Sequence, residues 1–423
     1  MIYYENDKER SNKIPYDKEP IIRQTNYKKP RQTTQVGVPS KPFAFILAVL
    51  IIFNIVLCGL VIGVLKNNGD NFYNNTYHFP ESNLSSATTQ VASTSINSVV
   101  CIHIGLAETK PSYADFFNKE KLLDVGTGVI FDGDKQEGIC YIVTCYHVVK
   151  NAPTYIHILF HNSFIPVKAD LVSYSSLYDI AVLKVTSDVF TTSDATIAPV
   201  ADSSLLSYGQ EVVAIGNPMG ANLSATSGII SVPVELVDVG GIIYRVMRTS
   251  AAINGGNSGG GLFNMRGELI GIVNAKANDV PSKNNYVDNI AYAIPSNLAI
   301  SLAYNMLRNG TPMKAIIGLE FAIQSTTTDF IGEVAIPVQT IQIDSVEEGS
   351  AAAKAGLKVG DVITAFEYNG QLVNMINFFS FDDHEFNLSL GDEVTFYING
   401  STSGIKVVVD KTLPADFTQG YQA

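Results

Sequence analysis

Between residues 95 and 295 the apolar positions fall in short runs broken by turn residues: SVVCIHI, VGTGVIF, CYIVTCYHVV, TYIHILF, DIAVLKV, EVVAIG, GIISV, ELIGIV and IAYAIP. The runs are rich in Val and Ile and carry no helical period, which is the pattern of strands. A helical period first appears at Ser296–Arg308, where Leu298, Leu302, Met306 and Leu307 recur on one face, and Asn309–Gly310 ends it. Short strands over about 200 residues predict an all-β sandwich or pair of barrels. A separate small unit follows. In it GSAAAKAGLKVGDVI, Gly349 to Ile363, predicts a turn, a short helix closed by Gly356, and a strand after Gly360–Asp361.

Upstream of the strands lies a different pattern. Pro42 to Leu65 contains no charged residue. As a helix it would reach ~36 Å, against ~30 Å of bilayer hydrocarbon, so it predicts a transmembrane helix. A cleaved signal peptide fits less well, because its apolar core runs only ~7–15 residues. Nine Lys/Arg precede the span, whereas Lys66 follows it and the next is Lys110. That asymmetry places the N-terminus in the cytoplasm and the body outside, in a single-pass plasma-membrane protein. The predicted organisation is a disordered cytoplasmic tail over 1–41, a transmembrane helix over 42–65, a linker over 66–92, a β-rich domain over 93–308 and a small α+β domain over 314–412. Phe72, Tyr73, Tyr77 and Phe79 in the linker are placed to dock on a neighbouring subunit.

Charge and cysteine usage narrow the function. The net charge is -12 overall, and the tail of residues 1–41 is basic, so the body is strongly acidic. An acidic body lacks the basic face that nucleic acid requires, so no nucleic-acid partner is expected. The four cysteines, Cys58, Cys101, Cys140 and Cys145, form neither a CxxC nor a Cys/His cluster. No metal or other cofactor is therefore expected. Cys140 and Cys145, on one strand at odd spacing, would face opposite ways and make poor disulfide partners.

Three segments carry candidate chemistry, in the order YIVTCYHVVK with His147, SLYDIAVLKV with Asp179, and INGGNSGGGLFN with Ser258. A serine hydroxyl is a weak nucleophile that needs a base, and the base needs an acceptor to hold its tautomer. His147 fits the base, Asp179 the acceptor and Ser258 the nucleophile. Asp170 is the alternative acid. Cys145 lies two residues before His147, but no glycines surround it and it reads as a packed thiol. Glycines flank Ser258 because backbone N–H groups must point at the oxyanion of an acyl-transfer intermediate, in a bend that side chains would obstruct.

The order His, Asp, Ser is that of chymotrypsin-type proteases. GNSGG with upstream AAIN resembles the active-site loop of HtrA/Deg serine proteases. VGTGVIF, TCYHVV, YDIAVLKV, YGQEVVAIGNPMG, TSGIIS and IAYAIP resemble further blocks of that family, in its order. The resemblance implies a double β-barrel trypsin-like domain over 93–308, with the N–H groups of Gly256 and Ser258 as oxyanion hole and Asn257 bracing the turn. It also implies an S1 pocket with Ala252 at its base and Ile290, Ala291 and Ala293 along it, hence cleavage after small or medium aliphatic residues rather than Lys or Arg. IGLEF (Ile317–Phe321) with the later GSAAAKAGLKVGD resembles an HtrA-type PDZ domain. In that comparison Ile317, Gly318, Leu319, Glu320, Phe321 and Leu357 contact a C-terminal peptide. The expected partners are unfolded or C-terminally exposed protein substrates, the membrane through one helix, and two further copies of the chain in a homotrimer. The chain departs from the family's NPGNSGGPL at Gly255 and Gly261, both usually proline, and has Ser250 for a usual aspartate. These departures motivate an alternative reading, a protease-fold scaffold or chaperone with little catalysis.

Overall fold

The computed structural model describes residues 86–105, 112–113, 122–150, 155–220, 222–239, 241–274, 290–331 and 334–417. The predicted tail, membrane helix and most of the linker lie outside them. Among the described residues no helix is long and apolar enough to cross a membrane. The linker expected to reach residue 92 ends earlier, because helix α1 (Ala87–Ser95) begins within it. The Ser/Thr-rich composition that reads as linker also supplies the helix cap: the Ser86 side chain accepts from the Thr89 N–H, and Val91 is buried.

The strand runs fold into two closed six-stranded barrels. The first contains β1 (Val99–Gly105), β2 (Leu122–Asp134), β3 (Ile139–Cys145), β4 (Ile156–Phe160), β5 (Val167–Ser175) and β6 (Ile180–Thr186). Its order around the barrel is β1-β2-β3-β6-β5-β4. The second contains β7 (Glu211–Gly216), β8 (Ser224–Val239), β9 (Ile242–Thr249), β10 (Gly261–Asn264), β11 (Leu269–Val273) and β12 (Ala291–Pro295). It closes in the same pattern, β7-β8-β9-β12-β11-β10. Closure removes exposed strand edges, and the interior takes the Val/Ile face of each run. Strand β5 shows the alternation directly: Val167, Ala169, Ser173 and Ser175 are buried while Lys168, Asp170 and Tyr174 face out. Between β3 and β4 lies α2 (Tyr146–Val149), and after β6 lies α3 (Asp188–Thr192), whose Phe190 is fully buried against Phe160.

Helix α4 (Ser296–Asn309) matches its predicted span and ends on Gly310 at φ 73°. Leu298, Leu302 and Met306 are buried with Ala299 and Ala303; Leu307 is only half-buried at the rim of the stripe. The chain then enters a C-terminal module. It contains β13 (Met313–Ala315), β14 (Leu319–Ile331), β15 (Val334–Val346), α5 (Ala351–Ala355), β16 (Val362–Tyr368), β17 (Gln371–Asn374), α6 (Asp382–Glu385), β18 (Glu393–Ile398), β19 (Ile405–Val408) and β20 (Thr412–Pro414). Its main sheet runs β14-β15-β16-β18-β19, with β14 at an edge, and β13 pairs separately with β20. Helix α5 is closed by Gly356 in the left-handed region, as its sequence predicts, and its N-terminus is capped by the Ser350 side chain.

Ionic and polar contacts hold the module against the barrels. Arg245 of β9 pairs with Asp383 of α6, both nearly buried, and Lys314 of β13 pairs with Glu385 at 2.7 Å. The Asn305 amide donates to the carbonyls of Met313 and Phe386. Burial raises the affinity of Glu385 for its proton, opposed by Lys314 and reinforced by Asp382, and pushes its pKa to about 7. Glutamates of the unfolded chain titrate near about 4.3. The folded chain therefore holds this proton more tightly, and the associated stability is lost as pH rises from that range through about 7. Glu385→Gln should flatten the decline in melting temperature between pH 5 and 8; an unchanged slope in a calorimetric pH series would contradict this.

Candidate active site

The His147 and Asp179 segments meet because β3 and β6 are paired, with Cys145 opposite Ile180. Asp179 is the last residue of the loop joining β5 to β6 and sits at φ 53°, a left-handed conformation that Asp tolerates better than most residues. His147 lies in α2, which starts directly after the last residue of β3. The Tyr146 N–H donates to the Asp179 carbonyl at 3.0 Å. The His147 N–H donates to Asp179 Oδ1 at 2.8 Å, and His147 Nδ1 lies 2.6 Å from Oδ2. Asp179 is 1% exposed, so its charge is held by donors rather than by water. A third donor is the Asn274 amide, 3.0 Å from Oδ2. Asn274 is buried beside the end of β11, and sequence reading missed it because an isolated Asn carries no motif.

With Nδ1 engaged by the carboxylate, the imidazole presents Nε2 as its remaining proton acceptor. The His147 side chain is 18% exposed, accessible without being fully solvated. Its Nδ1 hydrogen bond fixes ring orientation and tautomer together.

Ser258 is buried in the loop before β10. Four consecutive carbonyls around it all have donors. Gly255 accepts from the Met219 N–H at 2.9 Å, Gly256 from Thr127 Oγ1 at 2.7 Å, Asn257 from the Gly260 N–H at 2.9 Å, and Ser258 from the Thr127 N–H at 2.9 Å. In a trans peptide the N–H points opposite to the C=O. The bond to the Gly255 carbonyl therefore turns the Gly256 N–H away from Met219, and the bond to the Asn257 carbonyl turns the Ser258 N–H away from Gly260. Gly256 at φ 95° and Gly259 at φ 84° are required, since an added Cβ would strike the Asn217 and Thr127 carbonyls respectively. The Asn257 backbone N–H donates to the Asn254 carbonyl at 3.1 Å, while its side-chain Oδ1 is buried without a hydrogen-bond partner.

Thr127 is the second residue that sequence reading missed. Its hydroxyl donates to Gly256 and accepts from the Asn217 N–H at 2.8 Å, and its carbonyl accepts from Thr144 Oγ1 at 2.7 Å. One side chain thus joins the first barrel to the Ser258 loop.

Other candidates are placed as follows. Asp170 is exposed and pairs with Lys168 on the outer face of β5, away from His147. The Cys145 Sγ donates to the Val273 carbonyl at 3.3 Å. Sγ lies within 4.8 Å of ligand atoms of His147 and Asp179, but both of those groups are engaged with each other. Ala252 is exposed, Ile290 is half-buried against the Tyr244–Tyr292 cluster, and Ala291 and Ala293 are buried in β12. In the C-terminal module Ile317 and Leu357 belong to the hydrophobic core, while Leu319, Glu320 and Phe321 border a cavity of about 610 Å³. Gly318, at φ 77°, is packed against Ser350 at the start of α5.

A profile of the trypsin-like peptidase domain matches residues 126–272. The Serine protease Do-like HtrA of Lactococcus lactis subsp. lactis is 31% identical over 303 residues, covering 69% of this chain and 72% of that protein. The corresponding protein of Lactococcus lactis subsp. cremoris is 28% identical over 396 residues, 85% of this chain and 95% of its own. The Periplasmic serine endoprotease DegP of Escherichia coli is 34% identical over 261 residues, 60% of this chain and 50% of its own. The chain belongs to the HtrA family of serine proteases. It is a serine endopeptidase, and the double barrel is its trypsin-like domain.

The departures from the usual HtrA loop have local compensations. Ser250 accepts the Ile229 N–H through its hydroxyl at 3.0 Å, so the polar side chain still braces β8. Gly261 lies inside the barrel ladder between Ile215 and Ile272, and a Cβ there would meet the Phe263 ring. Gly255 has open space around it and is restrained by its carbonyl bond to Met219. Because Thr127 ties this loop to the first barrel, Thr127→Val, which leaves the Gly256 carbonyl and the Asn217 N–H without that partner, should lower kcat by about 10- to 100-fold. Thr127→Ser should restore most of it, and wild-type kcat in Thr127→Val would show that the loop holds its shape without the hydroxyl.

Proposed function

We propose that Ser258, His147 and Asp179 are the catalytic triad of this endopeptidase. The observation that carries the reading is the 2.6 Å contact between His147 Nδ1 and Asp179 Oδ2, beside a serine loop whose carbonyls all have donors. Ser258 Oγ attacks the scissile carbonyl carbon while its proton passes to His147 Nε2. Asp179 holds the Nδ1 proton and stabilises the imidazolium. The oxyanion is received by the N–H groups of Gly256 and Ser258. On collapse the C–N bond breaks and His147 gives its proton to the leaving amine; water, deprotonated by the same imidazole, then releases the acyl group. Ala252 offers no charge to a P1 Lys or Arg, which favours small or medium aliphatic P1 residues, with Ile290, Ala291 and Ala293 as the other proposed S1 residues.

Residues 314–412 read as a PDZ domain that recruits exposed C-termini. Support comes from the position of β14 at the sheet edge, where a peptide could add as a strand, and from the cavity beside Leu319–Phe321. The charge-free span 42–65 is the proposed anchor, with the N-terminus cytoplasmic and the protease outside the cytoplasm; the periplasmic relative supports the latter. On this reading the protein degrades misfolded or selected extracytoplasmic proteins, as a homotrimer.

A fluorophosphonate probe should label wild-type protein, and Ser258→Ala and His147→Ala should abolish labelling and lower casein degradation by about 10⁴-fold or more. Undiminished degradation in either variant would remove that residue from the triad. A peptide with a free C-terminus should bind more tightly than its C-terminal amide; equal affinities in a fluorescence titration would argue against carboxylate capture by the C-terminal module.

A further inference from the structure

The loop that presents Asp179 is short. Ser175 pairs with Ile180 across the β5–β6 ladder, so only residues 176–179 turn the chain, and Asp179 takes φ 53° at the last position. A left-handed non-glycine residue is costly and persists where its surroundings hold it. What holds this loop comes from the far end of the sequence. One Asp416 carboxylate oxygen accepts from Ser175 Oγ, and the other accepts from both the Ser176 N–H and Ser176 Oγ at 3.0 Å. Ser175 Oγ in turn accepts from the Tyr178 N–H at 3.2 Å, one residue before Asp179. Ser175 is fully buried, so this relay runs beneath the turn.

The segment bearing Asp416 is itself anchored. β20 pairs with β13, the Ala415 N–H donates to the Pro312 carbonyl at 2.8 Å, and the Ala415 side chain is buried in the core cluster of the barrels. A second contact from the C-terminal module meets the same loop: the Tyr178 ring packs edge-on against Phe386, with centroids 5.3 Å apart. The chain thus leaves the protease domain after α4, traverses the whole C-terminal module, and returns to brace the loop that carries the triad acid.

We infer that Asp416 is a positioning residue for catalysis: through Ser175 and Ser176 its carboxylate holds the 176–179 turn so that Asp179 meets His147. It touches no substrate and acts only through that turn. The inference rests on the Ser258–His147–Asp179 reading. It extends the functional protease past β20, so that the segment following the C-terminal module is part of the machinery that orients the triad.

The test uses the full chain with every rate expressed per fluorophosphonate-titratable serine, so that unfolded molecules do not count. Asp416→Ala should lower kcat by about 10- to 100-fold, the scale of a misplaced catalytic group, with KM within about twofold. Asp416→Asn, which keeps one acceptor oxygen, should fall between Asp416→Ala and wild type. Ser175→Ala should show the Asp416→Ala defect, and the double variant should lose no more than either alone, because the two act in one relay. Asp410→Asn, which breaks only the surface pair with Lys354, should leave kcat unchanged. The inference is overturned if kcat per titrated site in Asp416→Ala stays within about twofold of wild type while the titratable fraction or melting temperature falls. A change confined to KM, or additive losses in the double variant, overturns it equally. Ser258→Ala run alongside separates the two levels: wild-type activity there would defeat the triad reading itself, whatever Asp416 does.

Discussion

A buried carboxylate organises the site. Asp179 is removed from water, and its negative charge is tolerable only because three donors converge on two oxygens. Meeting that requirement shapes the surroundings. The β5–β6 loop must adopt a left-handed residue to aim the carboxylate inward. Helix α2 must begin where its first N–H groups can reach Asp179, and β11 must end where Asn274 can reach it from the second barrel. The imidazole is then oriented by the same group that the fold already had to satisfy.

The second constraint concerns lone pairs. A loop that is to receive an oxyanion, the role proposed for the Ser258 loop, must offer N–H groups and withhold carbonyls, and a glycine-rich loop could rotate either set toward the substrate. Here each carbonyl from Gly255 to Ser258 is tied elsewhere, two of them to Thr127. Hydrogen bonds therefore supply restraint at Gly255, where proline would otherwise limit the backbone. Because Thr127 belongs to the first barrel and Ser258 to the loop opening the second, the geometry of the site depends on how the two barrels pack.

The contact between barrels and C-terminal module is more ionic than a barrel interior. Asp382, Asp383 and Glu385 face Arg245 and Lys314, and burial raises the proton affinity of all three acids. A buried ionic contact of this kind is weak evidence for stability and is sensitive to the loss of a single partner. It borders the cavity beside Leu319–Phe321, so whatever occupies that cavity shares walls with both parts of the chain. The hydrophobic contact of Tyr178 with Phe386 lies at the same boundary and adjoins the Asp179 loop.

Local periodicity and local motifs were legible without coordinates. Short Val/Ile runs specified strands, the stripe of Leu298, Leu302 and Met306 specified α4 almost to the residue, and Gly356 marked the end of α5. His147, Asp179 and Ser258 stood out because acyl transfer demands those residue types in glycine-rich or strand-end settings. Tertiary structure alone decided the rest. Closing each run of strands into a barrel is a matter of non-local pairing, and no window of sequence records which strand meets which. Thr127, Asn274 and Asp416 are ordinary polar residues in sequence, and each gains its place only because a distant backbone group lies within hydrogen-bonding distance. Leu357 and Ile317, read from the sequence as peptide contacts, lie in a core whose far wall comes from strands up to 90 residues away. Sequence determines which groups a segment carries and its local period; what those groups touch depends on contacts between positions far apart in the chain, which only the folded structure brings together.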